Sequence, residues 1–125
     1  MYIGEVASKT GLSVKAIRLY EERGLISVPP RKGRYRYYNA SHVEVLNLIK
    51  EAKSLGSTLS QLEAVIVYNN GEVDWSKVEG FLIKLKHRLN QQKETLQDRI
   101  GRVDACLSAI NSCPSMLDSA LRGRD

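Results

Sequence analysis

Cysteine, histidine and long apolar runs are scarce in this 125-residue chain. Its two cysteines, Cys106 and Cys113, are too few to staple a disulfide scaffold, and such sparse usage suits a reducing cytosol. No apolar stretch reaches the roughly 20 residues that cross a bilayer, so no membrane role is expected. The opening MYIGEVASKTG lacks a basic start followed by an apolar stretch, and no secretory leader is expected either. A cytoplasmic protein fits these absences. Also missing are a glycine-rich phosphate loop, a paired metal motif and a nucleophile elbow, which argues against an enzyme.

What is present is enough for a packed domain: 42% hydrophobic and 26% charged residues, a composition that buries a core and is not that of a disordered chain. The formal charge is +5 and the pI about 9.3. That surplus is uneven. Residues 1–54 hold ten Lys and Arg against five acids, whereas residues 55–125 hold nine of each. The whole excess lies in the N-terminal half, which points to a polyanionic partner there.

The first residues read as two short helices about a tight turn. Ile3, Val6 and Ala7 recur at helical spacing until Thr10-Gly11, and glycine can take the left-handed conformation that ends a helix. Ser13 is placed to cap the next helix, in which Val14 and Ile17 face inward while Lys15, Arg18 and Glu22 project on other faces. A short helix, a glycine turn and a second helix with basic residues near its start form a helix-turn-helix pattern over about 3–23. Pro29-Pro30 forbids helix, and Arg31-Lys32-Gly33-Arg34-Tyr35-Arg36-Tyr37-Tyr38 then suits two short strands of a hairpin, within a segment of about 27–38. Arginine planes and tyrosine hydroxyls make good phosphate contacts. A solvated hairpin with tyrosines packed beneath it is the plainer alternative.

A second helix pair is expected over about 40–68. Asn39 caps a helix running to about Leu55 with Gly56 as its stop, and Thr58-Leu-Ser-Gln61 resembles a capping box opening the next. Asn69-Asn70-Gly71 marks a turn. From Asp74, another N-cap, no proline interrupts the chain before Pro114, and a helix over 74–113 would be on the order of 55 Å long. Gly80 and Gly101 weaken it by roughly 1 kcal/mol each. Its apolar residues follow a 4,3 rhythm through Val78, Leu82, Leu85, Leu89, Leu96, Val103 and Ile110, with Gln92, Arg99, Cys106 and Cys113 falling on the same seam. So long a stripe needs another helix to cover it, and a second copy of the chain is the simplest source.

The assembled pattern resembles the MerR family of bacterial transcription regulators. The residues carrying the likeness are IGEVASKTGLSVKAIRLYEERGLI (3–26), YRYY (35–38), VEVLNLIKEAKSLGSTLSQLEAVI (43–66) and the SCP at 112–114. The resemblance implies a mainly α fold: a winged helix-turn-helix DNA-binding domain over 1–70, a dimerisation helix forming an antiparallel coiled coil, and a short tail or effector loop at 114–125. It further implies a homodimer on a palindromic promoter operator. Effector binding would bend and untwist the DNA, realigning promoter elements for RNA polymerase. Carried over by position, Ser13, Lys15, Arg18 and Tyr20 belong to the helix that meets the major groove and nearby phosphates, and Arg31, Tyr35 and Arg36 act from the wing. Lys32 and Arg34 are wing charges of this sequence itself, and the wing is about one residue shorter than in many relatives.

The effector is left open. Metal-sensing members place one cysteine where Cys113 stands and a second in the loop after it; here that loop, CPSMLDSALRGRD, has no second cysteine. The start of the long helix, Asp74-Trp75-Ser76-Lys77-Val78, also lacks the cysteine that divalent-metal sensors carry. Cys106 lies about 10 Å along the helix from Cys113, too far for one ion to bind both, since thiolates on one zinc lie within ~4 Å. Met116 leaves a copper(I)-like soft-metal site with Cys113 as one reading. Thiol chemistry with an aldehyde or oxidant is another, although a helix C-terminus raises a thiol's pKa and slows it. Both cysteines as small hydrophobes in the dimer seam is the third. His42 and His87 stand alone and read as surface or packing residues. Two further functions compete with the effector-driven activator: an effector-independent DNA-binding repressor and a coiled-coil protein-interaction adaptor.

Overall fold

A computed structural model describes residues 1–112 of the chain, which divide into two units, Met1–Phe81 and the part of the long helix that begins at Leu82. In the first unit, helix α1 (Ile3–Thr10) stops where Gly11 turns to φ 73° and returns its N–H to the Ala7 carbonyl. Only a residue without Cβ sits comfortably there, and an added Cβ would also stand 2.6 Å from Lys50 Nζ. The same lysine donates to the Thr10 carbonyl at 2.8 Å, tying the turn to the third helix. Ser13 Oγ accepts the Ala16 N–H and opens α2 (Val14–Glu22). The antiparallel strands β1 (Arg31–Lys32) and β2 (Tyr35–Arg36) follow, with Arg31 opposite Arg36 and Lys32 opposite Tyr35. Gly33 supplies a positive φ of 68° at the first position of their two-residue turn.

Capping decides the next two helices. Asn39 Oδ1 accepts the His42 N–H while His42 Nδ1 accepts the Asn39 N–H, starting α3 (Ala40–Ser54); Thr58 and Gln61 exchange the equivalent pair at α4 (Leu59–Val65). Where the sequence suggests only a turn at 69–71, the chain forms a second hairpin, β3 (Tyr68–Asn69) with β4 (Glu72–Val73). Asn70 and Gly71 both have positive φ, as a type I′ turn demands. Strands of two residues carry no readable alternation, so the turn was the only signal. Asp74 Oδ1 then accepts the Lys77 N–H and α5 (Trp75–Ser112) begins.

The first unit closes over one core. Val6 of α1, Ile17 and Tyr20 of α2, Leu46 and Ile49 of α3, and Leu62 of α4 are buried together with Leu25, Ile26 and Tyr38. α1 packs on both α2 and α3, and Phe81 from the first turns of α5 packs against the same cluster. Each fully buried Leu or Ile contributes about 1.5–3 kcal/mol, ample to fix helices of 7 to 15 residues that would be marginal alone. The second unit, as far as Ser112, is α5 alone, continuous through Gly101. Every large apolar side chain on it from Leu89 to Ile110 is exposed; Leu96, Ile100 and Val103 are 55–60% so. The mainly helical architecture with a hairpin wing is the fold class expected from the sequence. Among the described residues no helix is long and apolar enough to cross a membrane.

Candidate nucleic-acid interface

α2 is amphipathic in the simplest way. Ile17 and Tyr20 go into the core, which leaves Lys15, Arg18, Leu19 and Glu22 on the outward face. The capping hydroxyl of Ser13 fixes where that face begins. Beside it stands the β1–β2 hairpin, whose residues are exposed apart from the half-buried Arg36. The two elements meet around a shallow concavity lined by Arg18 from α2 and by Arg31, Arg34, Tyr35 and Arg36 from the wing, with Ile3 and Tyr38 at its floor. Four guanidinium groups thus share one surface. Crowding like charges costs energy unless anions answer them, so the arrangement favours an anionic partner.

Several contacts hold the wing in this place. Arg31 Nη1 donates to the Arg34 carbonyl at 2.8 Å across the turn. The Tyr37 N–H reaches the Pro30 carbonyl at 2.8 Å. Tyr2 packs edge-on against the rings of Tyr35 and Tyr37, and Lys32 Nζ lies 4.7 Å from the Tyr37 ring centre. Beneath them, Arg36 Nε sits 2.9 Å from Glu21 Oε2 on α2, and the Tyr38 hydroxyl donates to Glu21 Oε1 at 3.3 Å. The distance to Arg36 is that of an ion pair, although its buried N–H is aligned with no acceptor among the described residues. Burial, followed by the Glu21 carboxylate, pushes the Tyr38 hydroxyl's pKa up.

Of the residues expected at the interface, Arg18, Arg31, Arg34, Tyr35 and Arg36 come together. Lys15 and Ser13 lie along a neighbouring concavity of α2 that Arg18 and Leu19 also line. Lys32 is directed over Tyr37. Tyr20 touches that second concavity too, although it is only 4% exposed and packs into the core, with Lys53 Nζ 3.4 Å from its hydroxyl. Glu21 is the residue that sequence reasoning passed over. A carboxylate amid cations gives no sign of a partner 15 positions away until the hairpin folds back.

His42 is buried as a packing residue, and it also closes the α3 capping box. Because Nδ1 accepts the Asn39 N–H, the ring proton lies on Nε2, 3.0 Å from Ser27 Oγ. Burial lowers its pKa. His87 is exposed on α5, and so is the free thiol of Cys106. Among the described residues no group of three His, Cys, Asp or Glu side chains is placed to hold a metal ion. The expectations for Cys113 and Met116, and for the loop at 114–125, fall outside the described residues.

Residues 1–67 match the family model described as MerR HTH family regulatory protein. An HTH-type transcriptional regulator CueR from Escherichia coli is 34% identical over 116 residues, spanning 91% of this chain and 84% of that protein. Among solved structures, a putative MerR family transcriptional regulator from Listeria monocytogenes superposes with a TM-score of 0.63 at 19% identity, covering 98% of this chain and 95% of that one. The transcription regulator PbrR691 from Ralstonia metallidurans, solved in complex with lead(II), has a TM-score of 0.56 at 22% identity over 87% of this chain and 86% of its own.

Proposed function

The chain belongs to the MerR helix-turn-helix family of regulatory proteins, and on that premise we propose that it binds a palindromic promoter operator as a homodimer and switches transcription by distorting the DNA. As a transcription regulator of this type it works through DNA. The observation that carries the reading is the joining of Arg18 on α2 to Arg31, Arg34 and Arg36 on the wing in one cationic surface. In this reading α2 enters the major groove, where Lys15 and Arg18 reach base edges or adjoining phosphates, and the wing arginines grip the backbone alongside. Ser13, Lys32 and Tyr35 complete the contact set. Tyr20 acts from the core, holding the inner face of α2. The exposed stripe on α5 supplies the dimer by pairing with its copy, and two half-sites then match two copies of α2.

The signal reaches this frame from the end of α5. Cys113, the residue that follows Ser112 in the sequence, is the proposed receiving group, taking a soft metal ion or a thiol-reactive molecule, with Cys106 of α5 as the second candidate. Among the described residues no three His, Cys, Asp or Glu side chains are grouped to hold a metal ion by themselves. RNA polymerase is the proposed partner at the distorted promoter.

Two experiments test this. Selection from a random duplex library should yield a palindrome bound with steep salt dependence; recovery of no preferred duplex would sink the reading. Transcription from that operator, with copper(I), zinc(II) and formaldehyde added separately, should show activation by one of them that Cys113→Ser abolishes. Activation indifferent to that substitution would move the signal away from Cys113, and no activation at all would favour an effector-independent repressor.

A further inference from the structure

The wing is a hairpin of two-residue strands, and an isolated ribbon of that size does not hold its own orientation in water. Its position relative to α2 therefore depends on what anchors it. One side chain of α2 reaches it from below: Glu21, itself only 10% exposed, lies 2.9 Å from Arg36 Nε through one carboxylate oxygen and accepts the Tyr38 hydroxyl through the other. Glu21 thus sits on the helix that reads DNA and contacts both the last strand residue of the wing and the tyrosine that roots the wing in the core. Arg36 lines the cationic concavity, and the carboxylate 2.9 Å from its Nε ties that guanidinium to α2 by charge.

A carboxylate this close to a surface that meets phosphates would, by charge alone, weaken DNA binding. Its placement is economical only if what it fixes is worth more than what it repels. We infer that Glu21 is a positioning residue for operator binding, locking the wing and its Arg36 guanidinium to the recognition helix so that both elements engage one stretch of DNA. The inference rests on the reading of this surface as the operator interface.

The test is operator affinity measured against salt concentration for the full-length dimer, with the duplex recovered from library selection. Glu21→Gln keeps the size of the side chain and removes its charge. The expected result is affinity about tenfold weaker, with the log–log salt slope shallower by about 0.9 for each protomer, as when one phosphate contact per protomer is lost. In an Arg36→Ala background the same substitution should have no further effect. Arg36→Lys keeps the charge but replaces the planar guanidinium that lies against Glu21, and it should reproduce the loss even if Glu21→Gln proves poorly folded. Unchanged or tighter binding by Glu21→Gln would overturn the inference, leaving the carboxylate a mere repelling charge. So would a loss that leaves the slope intact and persists in the Arg36→Ala background, since that marks a general loss of fold. Those outcomes leave the operator reading standing. A wild-type protein that binds no duplex with salt sensitivity would overturn both.

Discussion

Leu46 and Leu96 are the same residue in two opposite situations. Leu46, on α3, is fully buried in a core built from every helix of the first unit, whereas Leu96, on α5, is 55% exposed. The contrast extends to their surroundings: residues 1–81 gather most of their large aliphatic side chains into one core, with exceptions such as Leu19, Val28 and Leu55, while every large apolar residue from Leu89 to Ile110 faces water. A globular unit that closes on itself needs no partner to fold. A 38-residue helix with an uncovered stripe does. In the proposed dimer the two halves of this chain depend on different equilibria, one within a molecule and one between molecules.

The largest effect should come from the closed half. Leu46→Ala is expected to lose about 2–5 kcal/mol of unfolding free energy through lost burial and the cavity left behind, visible as a lower denaturation midpoint at any protein concentration. Leu96→Ala tests the other side. It should leave that midpoint in place for the first unit and show itself in protein-concentration dependence. Paired charges sharpen this further: Leu96→Asp with Val103→Asp should convert dimer to monomer in sedimentation equilibrium and weaken operator binding by roughly a hundredfold or more, because the two half-sites are no longer linked. If both leucines behaved alike in unfolding, the division into two kinds of stability would fail.

Next in size is Arg18→Ala, with an expected loss of about 1–3 kcal/mol in operator binding and no change in thermal midpoint. Equal binding of wild type and variant would remove Arg18 from the interface. Smaller still is a pH effect confined to the first unit. Burial favours neutral His42, so its folded pKa lies below the ordinary 6.5, and the unfolded chain takes up the proton more readily. Stability is therefore full above about pH 6.5 and declines as pH falls from there towards the folded pKa. His42→Gln, whose amide oxygen can still accept the Asn39 N–H, should flatten that decline below pH 6.5 in thermal melts. An unaltered decline would assign it to other groups.

Much of this was legible in the residues alone, for a physical reason. Ser13, Asn39, Thr58 and Asp74 each cap a helix through side-chain oxygens, a local interaction that sequence states directly. Gly11 and Gly33 mark turns for the same reason. The 4,3 rhythm of α5 announced an uncovered face because a periodic stripe needs no knowledge of tertiary contacts. What stayed hidden was long-range. Glu21 meets Arg36 only after the hairpin folds back, and Tyr20, carried by resemblance to the interface, lies with its ring in the core beside Lys53. His42 looked isolated because its partners are a backbone N–H and a serine hydroxyl, neither of which sequence patterns single out.

The most direct test of the operator interface is binding of the selected duplex across a salt series by wild type and by Arg18→Ala with Arg34→Ala, one residue from each side of the cationic concavity. Wild type should show a steep negative log–log slope, flattened in the double variant by about 0.9 for each phosphate contact removed per protomer, with the fold unchanged by circular dichroism. A shallow wild-type slope, or a double variant that binds the duplex as tightly and as salt-sensitively as wild type, would contradict that interface.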